Sequence, residues 1–134
     1  MKKLLVDSSF YVSLALPADT NHHKADTYFR RIATGEFSCI TTEDVLKESL
    51  TAISQRLGKA SSISYYHLIT KLTKVLTVTK PQWQNGLHRF LDATRQKDIS
   101  VIDCILWAIY EETKADAILT FDRHFRSLGV KVFP

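Results

Sequence analysis

Two apolar runs in this chain of 134 residues each end near an aspartate, and these aspartates are the first candidates for chemistry. The segment LLVDSS at residues 4–9 reaches Asp7, and the segment LTFDRHF at residues 119–125 reaches Asp122. A buried strand that ends in a carboxylate places a charge at the rim of the core. If the two strands are neighbours in a parallel sheet, their carboxylates meet at one edge. Oxygen ligands of this kind select a hard cation such as Mg²⁺ or Mn²⁺.

Further acidic residues could join this pair. Asp103 follows Ser100 at the predicted start of a helix, and Glu43, Asp44 and Glu48 lie early in another predicted helix. Like charges held a few ångströms apart raise each other's pKa and destabilise a fold, unless a cation lies among them. The helical periodicity does not choose among Glu43, Asp44 and Glu48, since a half-buried second face and a solvated face have the same pattern.

Each acid also has an ordinary structural interpretation. Asp7 and Asp122 could cap the helical segments that follow them, which stabilises a helix by about 1 kcal/mol. Asp103 could be the fourth residue of a capping box, as could Asp44 in a box that begins at Thr41. Taken singly, each acid is well explained as a cap. The repetition of acids at the starts of several elements instead favours a shared site.

The elements that would position these acids alternate between strand and helix. One helix has the apolar stripe Leu46, Leu50, Ile53 and Leu57 and ends before Gly58. Strands are predicted at residues 3–6, 37–40, 75–78, 117–120 and 131–133, and helices at 8–16, 22–34, 42–57, 61–73, 81–95 and 101–114, with a helical turn at 123–127. This alternation predicts a parallel sheet with helices on both faces, whose ligands bind at the carboxyl ends of the strands. It does not establish which strands are adjacent.

The composition predicts one globular domain over residues 1–134, with 45% hydrophobic and 24% charged residues. Cys39 and Cys104 lie in apolar surroundings, which predicts reduced buried thiols in a cytoplasmic protein. No apolar run approaches the ~20 residues that span a bilayer, and Asp7 interrupts any signal peptide. The net charge of +4 favours a polyanionic partner. Arg123 and Arg126 would lie near the acids, where they could attract RNA.

In the order and spacing of these segments the chain resembles the PIN domain family, and within it the VapC-type ribonuclease toxins of bacterial and archaeal toxin–antitoxin pairs. The resemblance runs from Leu4 to Val132. It rests on LVDSS at residues 5–9, TTEDVLKE at 41–48, SVIDC at 100–104 and LTFDRHF at 119–125. It implies an α/β fold of three layers, α/β/α, around a parallel sheet of strand order 3-2-1-4-5, in which the first and fourth strands are neighbours.

The resemblance also assigns roles to individual residues. The four acids of the family, which act as catalytic residues and metal ligands, match Asp7, Glu48, Asp103 and Asp122. With Mg²⁺ or Mn²⁺ they would hydrolyse RNA phosphodiester bonds. Three hydroxyl side chains would orient the acids from behind, namely Ser8, Ser9 and Thr120.

The implied partners are an RNA substrate, a cognate antitoxin protein and a second copy of the chain in a homodimer, with no membrane. Two alternatives stay open. One is a PIN-fold nuclease that acts in RNA processing, or on structured DNA, without an antitoxin. The other is a catalytically inactive module that binds RNA or protein and whose acids only cap helices.

Overall fold

The computed structural model describes all residues from 1 to 134 and contains one parallel sheet of five strands. The strands are β1 (Lys2–Val6), β2 (Phe37–Thr42), β3 (Thr73–Leu76), β4 (Ala117–Leu119) and β5 (Val132–Phe133). Their order across the sheet is β3-β2-β1-β4-β5. The predicted fold class and strand order are therefore confirmed.

Six α-helices and two shorter turns connect the strands. They are α1 (Ser8–Ala15), α2 (His22–Ala33), α3 (Glu43–Leu57), α4 (Lys59–Leu72), α5 (Lys80–His88), a π-helical turn (Arg89–Ala93), α6 (Val101–Thr113) and a 3-10 turn (Arg123–Leu128). Helix α1 contacts α2 and α3, α3 contacts α4, and α5 contacts α6. Right-handed crossovers account for these two groups, because the chain moves one way across the sheet from β1 to β3 and returns the other way to β4. None of the helices combines the length and hydrophobicity that a membrane crossing requires.

The two central strands form the most apolar part of the molecule. Leu4, Leu5 and Val6 of β1 are fully buried, as is every residue of β4. Such continuous apolar runs are typical of parallel strands that helices cover on both faces. Val6 pairs with Leu119, and the backbone N–H of Asp7 donates to the Leu119 carbonyl at 3.0 Å. The chain therefore leaves both strands at the same edge of the sheet.

Several predicted elements have different bounds in the structure, and the third strand and the fifth helix are displaced most. The third strand begins at Thr73 and not at residue 75, because Thr73 already pairs with Cys39 and its buried hydroxyl accepts a hydrogen bond from the Tyr11 hydroxyl at 2.9 Å. The helix predicted to reach residue 95 ends at His88, and the chain continues in the π-helical turn.

The predicted capping box of Thr41 and Asp44 is wrong by one residue. Thr42 caps α3, since its hydroxyl accepts from the backbone N–H of Val45 at 3.3 Å. Thr41 is still part of β2, and its buried hydroxyl donates to the Val6 carbonyl at 2.7 Å. Thr41 therefore ties β2 to the end of β1.

Helix α5 packs tightly against α6 at Gly86. A Cβ atom at this position would lie 2.5 Å from Cγ1 of Ile105 and 2.8 Å from its Cα. The contact with Cα is with backbone, so a change of side-chain rotamer cannot relieve it. Because α6 also carries Asp103, the small residue at 86 helps to set the place of this acid.

We expect the substitution Gly86→Ala to destabilise the protein by about 2 kcal/mol, because overpacking outweighs the better helix propensity of alanine. Urea unfolding measures the difference. Gln84→Ala is the control, since Gln84 is exposed in the same helix. Equal stability of Gly86→Ala and the wild type would contradict the close helix contact.

Candidate functional site

Asp7 is a buried carboxylate at the end of β1, with only 2% of its surface exposed. Its Oδ2 atom accepts hydrogen bonds from the hydroxyls of Ser9 and Thr120, each at 2.9 Å, and a longer one of 3.4 Å from the Ser9 backbone N–H. The last bond makes Asp7 the N-cap of α1, as one interpretation of the sequence predicted. Its Oδ1 atom receives no hydrogen bond from the protein.

The hydroxyls of Ser9 and Thr120 join the segment after β1 to the segment after β4. They lie 3.0 Å apart. The Ser9 hydroxyl accepts from the Phe121 backbone N–H at 2.9 Å, and the Thr120 hydroxyl accepts from the Asp122 backbone N–H at 3.0 Å. Of the three hydroxyls expected beside the acids, the structure places these two on Asp7, whereas Ser8 makes no side-chain hydrogen bond to an acid.

Asp122 follows β4 and lies next to Asp7. Its side chain makes no capping bond to the 3-10 turn, so the prediction that it caps this turn is wrong. Partial burial raises the pKa of Asp122 to about 6, with further contributions from the Asp7 charge and from the hydrogen bond that a protonated Asp122 makes to Asp7. A carboxyl group that shares protons with its neighbour is close to it in space.

Asp103 lies in the first turn of α6. It completes the predicted capping box, since its Oδ2 accepts from the Ser100 backbone N–H at 3.0 Å and its own N–H donates to the Ser100 hydroxyl at 3.0 Å. Burial raises the pKa of Asp103; hydrogen bonds from Ser100 oppose this effect, and the negative charge of Asp7 adds to it.

A histidine also contacts Asp103. Nε2 of His124 lies 3.1 Å from Oδ2 of Asp103, but the angles at this contact are not those of a hydrogen bond, and the buried Nε2 atom has no other partner. A protonated His124 would therefore attract Asp103 mainly through its charge. Sequence reasoning did not find this pair, whose only sequence signal is the place of His124 two residues after Asp122.

Glu48 projects from the second turn of α3. The residue as a whole is exposed, but partial burial of its carboxyl raises its pKa, and the charges of Asp7, Asp103, Asp44 and Asp122 raise it further. The competing Glu43 accepts a hydrogen bond from the Thr77 hydroxyl at 2.7 Å, beyond the end of β3. Among the acids that periodicity left open, the electrostatics favour Glu48 as a member of the group.

The four predicted acids thus lie close enough at one edge of the sheet for their charges to affect one another, and we call them the acid cluster (Asp7, Glu48, Asp103 and Asp122). No three His, Cys, Asp or Glu side chains lie close enough together to hold one metal ion as they stand. The donor set nevertheless fits a divalent cation in its chemistry. All four donors are carboxylates, and mutual repulsion contributes to the raised pKa of three of them.

The raised pKa of Asp122 predicts how stability depends on pH. The folded protein holds the Asp122 proton more tightly than the unfolded chain, so without metal the folded state loses stability as pH rises from about 4 through 6. Asp122→Asn removes this loss. We expect it to raise the free energy of unfolding at neutral pH by about 1 kcal/mol, after allowance for solvent screening, or by a few degrees in Tm.

Thermal unfolding in EDTA at about pH 5 and 7.5 checks this expectation, with the exposed Asp98→Asn as the matched control. A variant Asp122→Asn with the same pH dependence as the wild type would show that Asp122 is not under electrostatic strain.

Comparison with known proteins agrees with this fold. The family model of the PIN domain matches residues 4–131. Among the solved structures with a similar fold are two bacterial proteins. One is VapC20 of Mycobacterium tuberculosis, a toxin that cleaves the sarcin–ricin loop, with TM-score 0.82, 20% identity and 95% of each chain covered. The other is VapBC2 of Rickettsia felis bound to a DNA fragment from its promoter, with TM-score 0.68, 8% identity and coverage of 98% of this chain and 97% of the other.

At such identities the two structures support the fold alone. Among curated protein sequences none matches significantly. The family model, in contrast, extends from within β1 to the residue before β5 and includes all four members of the acid cluster. The chain belongs to the PIN domain family.

Proposed function

We propose that this protein is a divalent-metal-dependent endoribonuclease whose acid cluster binds Mg²⁺ or Mn²⁺. The observation that carries the proposal is the convergence of four carboxylates from four different elements at one edge of the sheet. Helix capping accounts for Asp7 and Asp103. It does not account for Asp122 and Glu48, whose side chains cap no helix. This difference supports a nuclease over a binding module whose acids only cap helices.

The side chains around the acid cluster have separate tasks in this proposal. Ser9 and Thr120 hold Asp7 through Oδ2 and leave Oδ1 for a cation. The Ser100 backbone N–H fixes one oxygen of Asp103 in the same way. Such outer hydrogen bonds orient a metal ligand and keep it ionised.

The reaction is the hydrolysis of an RNA phosphodiester, in which water attacks phosphorus and the bond from phosphorus to the leaving oxygen breaks. A bound divalent ion supplies Lewis-acid stabilisation of the phosphoryl oxygens and lowers the pKa of the attacking water. The cluster has no serine or cysteine nucleophile, and the mechanism requires none. The acids keep the ion in place and exclude a soft metal through their oxygen-only donor set.

We further propose that the protein is the toxin of a toxin–antitoxin pair, active in the cytoplasm as a homodimer and inhibited by a cognate antitoxin. The support is likeness of fold over 95% of the chain to a toxin that cleaves the sarcin–ricin loop. A PIN nuclease of ordinary RNA processing is the second candidate. A small open reading frame directly upstream, whose product co-purifies with this chain, would favour the toxin.

We expect Mn²⁺ to raise the Tm of the wild type, because a ligand that binds only the folded state stabilises it by mass action, by about 2.7 kcal/mol at a hundred times Kd. Asp7→Asn and Asp122→Asn should lose most of this rise, since each removes a ligand. Differential scanning fluorimetry with and without Mn²⁺ measures it. Asp98→Asn, an exposed aspartate outside the cluster, should retain the full shift. A wild type that gains no stability from Mn²⁺ would argue against the metal site.

We expect Asp7→Asn and Asp122→Asn to lower the rate of RNA cleavage at least about 100-fold, because both remove charge that holds the ion. A single-stranded RNA ladder on a denaturing gel measures cleavage, in EDTA and with Mg²⁺ or Mn²⁺ added. Circular dichroism establishes that both variants are folded, and Asp98→Asn should cleave like the wild type. Full activity of either cluster variant, or cleavage that persists in EDTA, would overturn the proposed function.

A further inference from the structure

A small pocket of about 260 Å³ adjoins the acid cluster and has Asp122 in its wall. Three basic residues line it, and we call it the basic pocket. Lys24 comes from the first turn of α2, whereas Arg123 and Arg126 come from the 3-10 turn that follows Asp122. Residues about 100 positions apart in sequence thus bring three positive charges to one concave surface.

None of these three cations forms an ion pair with an acidic side chain. Arg126 donates only to the backbone carbonyl of Pro134, at 3.3 Å. Some other arginines of the chain are paired, for example Arg31 with Glu36 at 2.7 Å and Arg89 with Glu111 at 2.6 Å. Three cations around one small pocket repel one another unless an anion lies among them, and Asp122 is the only acidic side chain in its wall.

We propose that the basic pocket binds a backbone phosphate of the RNA, on the nucleotide next to the scissile bond. This inference rests on the proposed nuclease function. Three cations in its wall suit an anionic phosphate group better than an uncharged nucleoside. Lys24 and the two arginines provide charged donors, and the Asn21 side chain in the wall provides a neutral one.

The position of the pocket explains why it would bind the phosphate next to the scissile one and not the scissile phosphate itself. Asp122 belongs both to the acid cluster and to the wall of the basic pocket, so a strand with its scissile phosphate at the acids passes directly into the pocket. The acid cluster by itself repels a polyanion. Three cations beside it offset that repulsion, and such phosphate contacts carry much of the affinity for RNA without reading its sequence.

The test compares RNA binding by Lys24→Ala and Arg126→Ala with binding by the wild type. Fluorescence anisotropy with a short labelled single-stranded RNA in EDTA, at several KCl concentrations, gives Kd and its salt dependence without cleavage. We expect each substitution to weaken binding by roughly threefold to tenfold and to reduce the salt slope by about 0.7, the value of one phosphate contact on a single strand. Lys24→Arg and Arg126→Lys should restore most of the affinity.

Matched controls are Lys71→Ala and Arg56→Ala. Lys71 precedes β3 at the opposite edge of the sheet, and Arg56 lies in the last turn of α3, far from the helix start that faces the acids. Both controls should bind RNA like the wild type. If Lys24→Ala and Arg126→Ala bind no more weakly than these controls, or if wild-type binding does not fall with salt, the inference is overturned.

A second probe locates the contact within the RNA. Once the cleavage site is mapped, a methylphosphonate replaces the phosphate next to it and removes its charge. If Arg126 contacts that phosphate, Arg126→Ala causes no further loss of affinity on the modified RNA, as in a double-mutant cycle. Additive losses would overturn the assignment. A wild type that binds RNA through these cations but does not cleave it with Mn²⁺ would instead refute the proposed nuclease and leave the phosphate site standing.

Discussion

The parallel pairing of β1 with β4 is the constraint on which the rest of this structure depends. It ends both central strands at one level, so that Asp7 and Asp122 leave the core side by side. A buried carboxylate is stable only if its charge is compensated by hydrogen bonds or by a cation. The hydroxyls of Ser9 and Thr120 supply part of this compensation for Asp7, and they also tie the two strand ends together. No comparable donors serve Asp122, whose pKa rises accordingly.

Much of this arrangement could be predicted from sequence, but the decisive adjacency could not. Apolar runs before Asp7 and Asp122 and the stripe of α3 were sufficient to predict a parallel α/β sheet and its helices. Strand order depends on which strands pair over distances of more than 100 residues. Local periodicity contains no information about such pairing, so only the family resemblance supplied the strand order. The start of β3 was misplaced for a similar reason, because its pairing with β2 and the buried bond from Tyr11 to Thr73 override the local β-branched pattern.

A capping role does not exclude a place in the acid cluster. Asp7 and Asp103 both cap helices, yet both belong to the acid cluster. The reason is geometric, since in a parallel α/β fold the helices that follow strands begin at the carboxyl edge of the sheet, where the caps must lie. A capping carboxylate accepts hydrogen bonds through one oxygen, and its other oxygen stays free. Several helices that begin at the same edge can therefore direct free carboxylate oxygens at a common ligand. Asp122 and Glu48 cap no helix. Their presence therefore favours a ligand site over a collection of caps more strongly than the presence of Asp7 and Asp103, which capping alone explains.

The same geometry separates charges of opposite sign over a very short distance. Asp122 ends the segment after β4, and the 3-10 turn that begins at the next residue carries Arg123 and Arg126 into the basic pocket. Negative charge at the acids disfavours RNA, and positive charge in the pocket favours it. A cation among the carboxylates would reduce the repulsion by the acids and leave the attraction by the basic pocket unchanged. The affinity for a phosphodiester would therefore increase when the ion binds. By thermodynamic linkage the RNA would raise the affinity for the ion by the same factor. Under the proposed function, an acid cluster that binds the ion only weakly by itself would therefore bind it more tightly when RNA is also present.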